Sequence, residues 1–130
     1  MHYHIDSDWS IDYLDGLSSA VQLLQPLMAD GIAISVITYI EIYQGVYRRP
    51  GPAATEALAG LMATTPVLPI SLTVAERCAR LRESLRRQGR RVNSRAMDLI
   101  IAATALEHDL TLVSRNVADY RDIAGLKLYR

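Results

Sequence analysis

The stretch RAMDLIIAATALEHDLTLVSRN, residues 95–116, sets one carboxylate, Asp98, at the head of an apolar run. Three, four and seven positions beyond Asp98 stand Ile101, Ala102 and Ala105, which share its face of an α-helix. A helix turns such a face toward a sheet, so Asp98 is aimed inward near the helix's N-terminal mouth. Burying a carboxylate without a partner is expensive enough that the group would rather neutralise. Asp98 therefore needs a partner: an arginine, backbone N–H groups or a metal ion. The plainer alternative is a helix-start Asp that uses the dipole and nearby amides. After this helix, residues 110–113 read as a buried strand.

Outward from this block the chain alternates between strand and helix patterns. Residues 3–5 form a short apolar-leaning strand that ends at Asp6, and 32–36 form a second strand by their β-branched content. Ser18 and Ser19 open an apolar-periodic helix, kinked at Pro26 and closed by Gly31. A helix beginning around Thr38 is stopped by Pro50, Gly51 and Pro52. Residues 53–63 form an Ala- and Leu-rich helix and 67–70 a third strand. The helix over 73–87 ends near Gly89, and Asn93 or Ser94 caps the Asp98 helix. Asp119 lies in a short turn or helix, and 126–129 form an edge strand. This alternation predicts an α/β fold: one α/β/α domain over residues 1–130 with a central, mainly parallel sheet.

The composition is that of a globular chain: half of the 130 residues are hydrophobic and 22% are charged. With one Trp, seven Tyr and no Phe, the core must be aliphatic. Cys78 is the only cysteine, which excludes an intramolecular disulfide and a cysteine-based zinc site, and it reads as ordinary packing. No signal peptide and no apolar run approaching the roughly 20 residues of a membrane span is visible, so a soluble cytoplasmic protein is expected.

Net charge is zero, but residues 1–47 hold six acids and no Lys or Arg, whereas 76–95 hold eight arginines against Glu76 and Glu83. An acidic first third and an Arg-rich segment in one domain suggest an anion-binding surface beside something that wants carboxylates. Solvated helix faces would account for the arginines equally well.

In open α/β sheets, ligands bind at the carboxyl ends of the strands. Asp6 follows the first strand, Glu41 starts the helix after the second, Asp98 heads its helix, and Asn116 and Asp119 follow the fourth strand. Each has a mundane reading: an Asx turn for Asp6, a capping box Thr38-x-x-Glu41, and a turn with a helix cap for Asn116 and Asp119. Gathered in one place, they repel, and a hard divalent cation such as Mg2+ or Mn2+ explains them most simply. The histidines carry little signal: His2 and His4 alternate along an exposed N-terminal strand and His108 lies near a helix end.

The order YHIDSDWSIDYL, SVITYIEIYQGV, MDLIIAATALEHDLTLVSRNVADY and GLKLY resembles a PIN domain, specifically a VapC-type toxin of bacterial toxin-antitoxin pairs, over residues 3–129. The resemblance implies a metal-dependent ribonuclease held inactive by a cognate VapB-type antitoxin, with homodimerisation usual. The acids of that pattern match Asp6, Glu41 and Asp98, which would also hold Mg2+ or Mn2+. Many relatives carry Asp directly after the Thr/Ser-Arg pair, where this chain has Asn116. Asp119 is then expected as the fourth acid, with Asn116 a neutral ligand or orienting group. Ser7 and Asp8 would support water around the metal, and Ser114 or Arg115 the scissile phosphate. Arg86, Arg87, Arg90, Arg91 and Arg95 would form a track for the RNA backbone. The apolar helices at 18–29 and 53–63 would serve as a subunit interface, an antitoxin groove or simply core.

Two rival functions remain. Asp6-Ser7-Asp8 after an apolar strand resembles the start of DxD-type phosphatases, but those sites use a lysine and the only one here, Lys127, is near the C-terminus. A catalytically inactive PIN-like module that binds RNA or protein would fit the Asn116 departure.

Overall fold

A computed structural model describes residues 1–49 and 51–130. Among these residues five strands pair in the order β3-β2-β1-β4-β5: β1 Tyr3–Ile5, β2 Ile32–Ser35, β3 Val67–Leu68, β4 Thr111–Val113 and β5 Lys127–Leu128. Every pairing is parallel, with His4 opposite Ala33 on one side and Leu112 on the other. Among the described residues seven α-helices run around them: α1 Ser7–Leu14, α2 Ser18–Asp30, α3 Val36–Arg48, α4 Pro52–Thr64, α5 Leu72–Arg87, α6 Ala96–Glu107 and α7 Val117–Tyr120.

A parallel sheet is buried on both faces, and the side chains sort accordingly. Ile5, Ile32, Ile34 and Val113 meet Leu24, Leu27, Leu58 and Leu61 of α2 and α4 on one face. On the other, Leu112 meets Val74 and Leu85 of α5, Leu99, Ile101 and Ala102 of α6, and Tyr120. The Asp98 helix thus packs on the sheet through the face expected from its spacing, with Ile101, Ala102 and Ala105 all buried.

Several boundaries differ from the sequence reading for identifiable reasons. SDWSIDYL forms α1 directly after β1 because the Asp6 side chain accepts the Ser7 N–H and caps the helix. The cap of α3 is Ser35, whose Oγ accepts the Thr38 N–H at 3.1 Å, so the helix starts before Thr38 and Thr38-x-x-Glu41 is not a capping box. Of the Pro-Gly-Pro stop, Pro50 lies outside the described residues, and Pro52 opens α4. Neither Asn93 nor Ser94 caps α6. Together with Arg95 they form a 3-10 turn that runs straight into it. Helix α2 continues through Pro26 to Asp30.

Two glycines act through their backbones. Gly31 closes α2 at φ 101°, where an added Cβ would lie 3.3 Å from the backbone of Met1. Gly89, at φ 72°, ends α5 in a Schellman turn, with Arg90 N–H to Leu85 C=O and Gly89 N–H to Arg86 C=O. That turn sends the arginines after it back toward the head of α6.

His4 departs from expectation most sharply. It is fully buried in the central strand, and neither ring nitrogen finds a partner among the described residues. Burial lowers its pKa to about 4, with a smaller push from His108, so it stays neutral near pH 7.

Candidate active site

The order of pairing makes the chain reverse direction across the sheet at β1: β2 lies on one side and β4 on the other. A crevice opens at the carboxyl ends of strands at such a switch point. Asp6 leaves β1 there and Ser114 leaves β4, and the two are bonded: Ser114 Oγ donates to Asp6 Oδ2 at 2.7 Å. The other Asp6 oxygen accepts the Ser7 N–H at 2.8 Å, and the side chain is only 4% exposed. Helix α6 runs back against the strands, so its first turn brings Asp98 to the same edge.

The partner of Asp98 is one that sequence reasoning did not supply. Tyr120, the last residue of α7, is fully buried and its hydroxyl lies 3.2 Å from Asp98 Oδ1 and 3.5 Å from Asp6 Oδ2. One hydroxyl proton serves two carboxylates. The signal for it was present in the ADY end of the SRNVADY segment, but the pairing spans 114 residues to Asp6. Burial pushes the Tyr120 pKa far up, and the charges of Asp6 and Asp98 push the same way, so it remains a phenol.

The acids sense one another. Burial raises the pKa of Asp6 despite the Ser114 and Ser7 bonds, and the Asp8 and Asp98 charges add to it. Burial likewise raises Asp98, with Asp119 adding and Tyr120 and Arg95 opposing. Glu41 stands in the second turn of α3, open to solvent as a residue. Partial desolvation of its carboxyl and the Asp6 charge raise its pKa, Asp98 and Asp8 add to this, and the Ser7 hydroxyl opposes. Freed from any capping role, Glu41 therefore shares the field of Asp6 and Asp98.

Among the described residues no group of three or more Asp, Glu, His or Cys side chains closes on a single point. What the edge offers is a pair of carboxylates with a third alongside. That donor set fits Mg2+ or Mn2+, which bind through one or two carboxylates and keep several waters, and does not fit zinc.

The remaining expected residues sort unevenly. Asp8 accepts the Trp9 N–H at 2.7 Å, and its charge reaches Asp6 and Glu41. Asp119 lies beside Asp98 electrostatically but also faces Arg91 at 3.6 Å. Asn116 is exposed, and its backbone N–H donates to Ser114 Oγ while its carbonyl accepts the Asp119 N–H.

Ser114 Oγ donates to Asp6 and accepts the Asn116 N–H, so it fixes Asp6 at the end of β4. Arg115 is stacked 3.9 Å over the Trp9 ring and ion-paired with Asp12, which commits it within the fold. Arg86 and Arg87 both pair with Glu83 on the outer face of α5. Arg95 does not belong to an exposed track at all: it is 6% exposed and paired with Asp122 at 3.1 Å. A charge run reads as a solvated face, and only the fold brings Asp122 to it.

The comparisons with known proteins agree with this architecture. The family model of the PIN domain matches residues 4–126. No curated protein matches the chain. Among solved structures it is similar to VapBC2 from Rickettsia felis bound to a DNA fragment from its promoter, at 23% identity and a TM-score of 0.84, covering 99% of this chain and 98% of that one. It is also similar to a toxin-antitoxin complex from Klebsiella pneumoniae, at 28% identity and a TM-score of 0.74, covering 95% and 94%. A third likeness is to VapBC-5 from Mycobacterium tuberculosis, at 28% identity and a TM-score of 0.67, covering 99% and 98%. With almost the whole chain inside the family match and a carboxylate pair at the sheet's switch point, this protein belongs to the PIN domain family.

Proposed function

We propose that the protein is a divalent-metal-dependent endoribonuclease toxin, cleaving structured RNA such as tRNA or rRNA and neutralised by a cognate VapB-type antitoxin. The observation that carries this reading is the pair Asp6 and Asp98 sharing one buried tyrosine hydroxyl, with Glu41 in their field, at the switch point of a PIN fold. The toxin-antitoxin complexes among its structural neighbours support the antitoxin part.

Asp6, Asp98 and Glu41 are the residues that would hold Mg2+ or Mn2+, with Asp119 beside them. Such an ion would lower the pKa of a bound water and offset charge on a phosphate under in-line attack. The chain's own residues prepare the place. Ser114 and the Ser7 amide fix Asp6, while Tyr120 holds Asp98 and keeps its proton, so the acids are oriented before anything binds. Ser7 and Asp8 line the approach from α1.

Substrate RNA would be guided by Arg90 and Arg91, the exposed members of the expected track that Glu83 does not hold. An antitoxin segment would find an apolar groove of about 320 Å3 walled by Tyr13, Leu14, Val21, Met28 and Leu61. A homodimer within a toxin-antitoxin hetero-oligomer, acting in the cytoplasm, completes the reading, and no described helix is long and apolar enough to cross a membrane.

The phosphatase alternative loses ground, because Lys127 pairs with Asp109 just past the end of α6, opposite the head that carries Asp98. The direct test incubates the purified protein with total tRNA and rRNA, with Mg2+, Mn2+ or EDTA, beside Asp98→Asn. Discrete cuts that need metal and Asp98 are expected. A folded protein that leaves RNA intact with either metal would overturn the proposal.

A further inference from the structure

Behind α7, on the side away from Tyr120, lies a cavity of about 360 Å3 that the acids do not enter. Its walls come from the turn after α5, the 3-10 turn before α6, and α7 with the residues after it. They contribute four guanidiniums, Arg90, Arg91, Arg95 and Arg121, against one carboxylate, Asp122. Asp122 is taken by Arg95 at 3.1 Å, and Arg91 is 3.6 Å from Asp119. Arg90 and Arg121 have no acid within ion-pair reach among the described residues.

The floor of this cavity is the second observation. Arg95 is 94% buried; its Nη1 donates to Asp122 Oδ1 and to the Asp119 carbonyl, while Nε and Nη2 find no acceptor among the described residues. Those two nitrogens are sealed off by the packing around them, so Arg95 acts on an anion in the cavity through its permanent charge rather than through these N–H groups. Helix α7 is the partition: Tyr120 faces Asp6 and Asp98, while its neighbours Ala118 and Arg121 face the cavity.

We infer that this cavity binds a backbone phosphate of the RNA substrate, one next to the phosphate that is cut. The inference rests on the nuclease reading for its ligand, though not for its chemistry. Arg90 and Arg121 grip the phosphate, and Arg95 supplies the positive floor beneath them. A strand crossing α7 then lies with one phosphate in the cavity and its neighbour at the acids.

The test has two arms, both in EDTA so that no cleavage intervenes. In the first, inorganic phosphate is titrated at constant ionic strength while thermal unfolding is followed, for the wild type, Arg90→Ala/Arg121→Ala, and Arg86→Ala/Arg87→Ala as a control outside the cavity. All four positions are exposed, so the variants should fold, and unfolding without phosphate checks this. Saturable protection is expected in the wild type and the control, with at least a tenfold weaker midpoint in Arg90→Ala/Arg121→Ala. In the second arm, tRNA binding is measured against salt. Loss of the two arginines removes one phosphate contact and should flatten the logarithmic slope by roughly 0.7 to 0.9.

No protection, or equal protection in the cavity variant, overturns the inference. Weakened phosphate protection with an unchanged tRNA slope also overturns it, and assigns the cavity to another anion such as an acidic peptide. If both arms behave as expected but the protein with Mn2+ leaves tRNA uncut, the cavity stands and the nuclease reading falls.

Discussion

Replacing Asp98 by Asn removes one charge from the site and little volume, which makes its effect on stability calculable. Asp98 Oδ1 and Asp6 Oδ2 lie 3.2 and 3.5 Å from the same Tyr120 oxygen, so they can be no more than 6.7 Å apart. Two unit charges at that separation repel by about 2.5 kcal/mol at an effective dielectric constant of about 20, and by about 1 kcal/mol at about 50. Against this gain stands the weaker bond from Tyr120 to an amide oxygen, a loss of about 1 kcal/mol. The net for Asp98→Asn in EDTA is between roughly zero and 1.5 kcal/mol of stabilisation. For a domain of this size that is a melting point unchanged or raised by up to about 6 °C.

The sign with pH follows from the raised pKa values. A carboxyl whose pKa is higher in the folded state favours folding at low pH and loses that contribution as pH rises through the folded value. The advantage of Asp98→Asn should thus be greatest near neutral pH and vanish below about pH 4. Adding Mn2+ reverses the order. The wild type gains roughly 2.7 kcal/mol at a hundredfold excess over Kd, and the variant gains little. Scanning fluorimetry in EDTA and in Mn2+ measures both. A variant that melts several degrees lower than wild type in EDTA and responds to Mn2+ like wild type would refute the account of Asp98 as half of a repelling pair.

Three further outcomes follow from the same geometry. Tyr120→Phe keeps the buried ring and removes the shared proton, so it should cost about 1 to 3 kcal/mol in EDTA and less in saturating Mn2+, since a cation then does the work of the hydroxyl. A deficit of equal size in both conditions would show that no cation takes over the work of the hydroxyl, and no deficit in either would reduce Tyr120 to packing. Ser114→Ala unties Asp6 from β4 and frees the Asn116 amide; cleavage should fall about tenfold or more with the RNA affinity nearly unchanged, and a loss confined to affinity would contradict the positioning role. His4 has a folded pKa of about 4, lowered by burial, so its stabilising contribution is complete above about pH 6.5 and is lost toward pH 4, up to about 3 kcal/mol. His4→Leu, beside Ala33 and Leu112, should flatten the melting profile over that window; parallel profiles for the two chains would show that His4 is not the titrating group.

Elements whose signals are local were legible from sequence. The helices ending at Asp30, Thr64 and Arg87 were expected within a residue or two of their bounds, because Gly31, Pro52 and Gly89 punctuate them. Helix α1 was not, since SDWSIDYL buries only Ser10 completely and its stability comes from the Asp6 cap and from docking Trp9 and Ile11 onto the core. The three leading acids stood out because each sits at a strand end or helix start, where a parallel sheet gathers them. Their partners did not, because Ser114 with Asp6 and Tyr120 with Asp98 are set by tertiary contact across long stretches of chain. Arg95 shows the limit most clearly: one charge of a run became the buried floor of a cavity once Asp122 was folded against it.

The central claim, that Asp6 and Asp98 form a divalent-cation site, is tested most directly by calorimetric titration of Mn2+ into the metal-free protein and into Asp98→Asn. The account predicts saturable binding to the wild type, weakened at least tenfold in the variant. Equal binding to both chains, or none to a folded wild type, would contradict it.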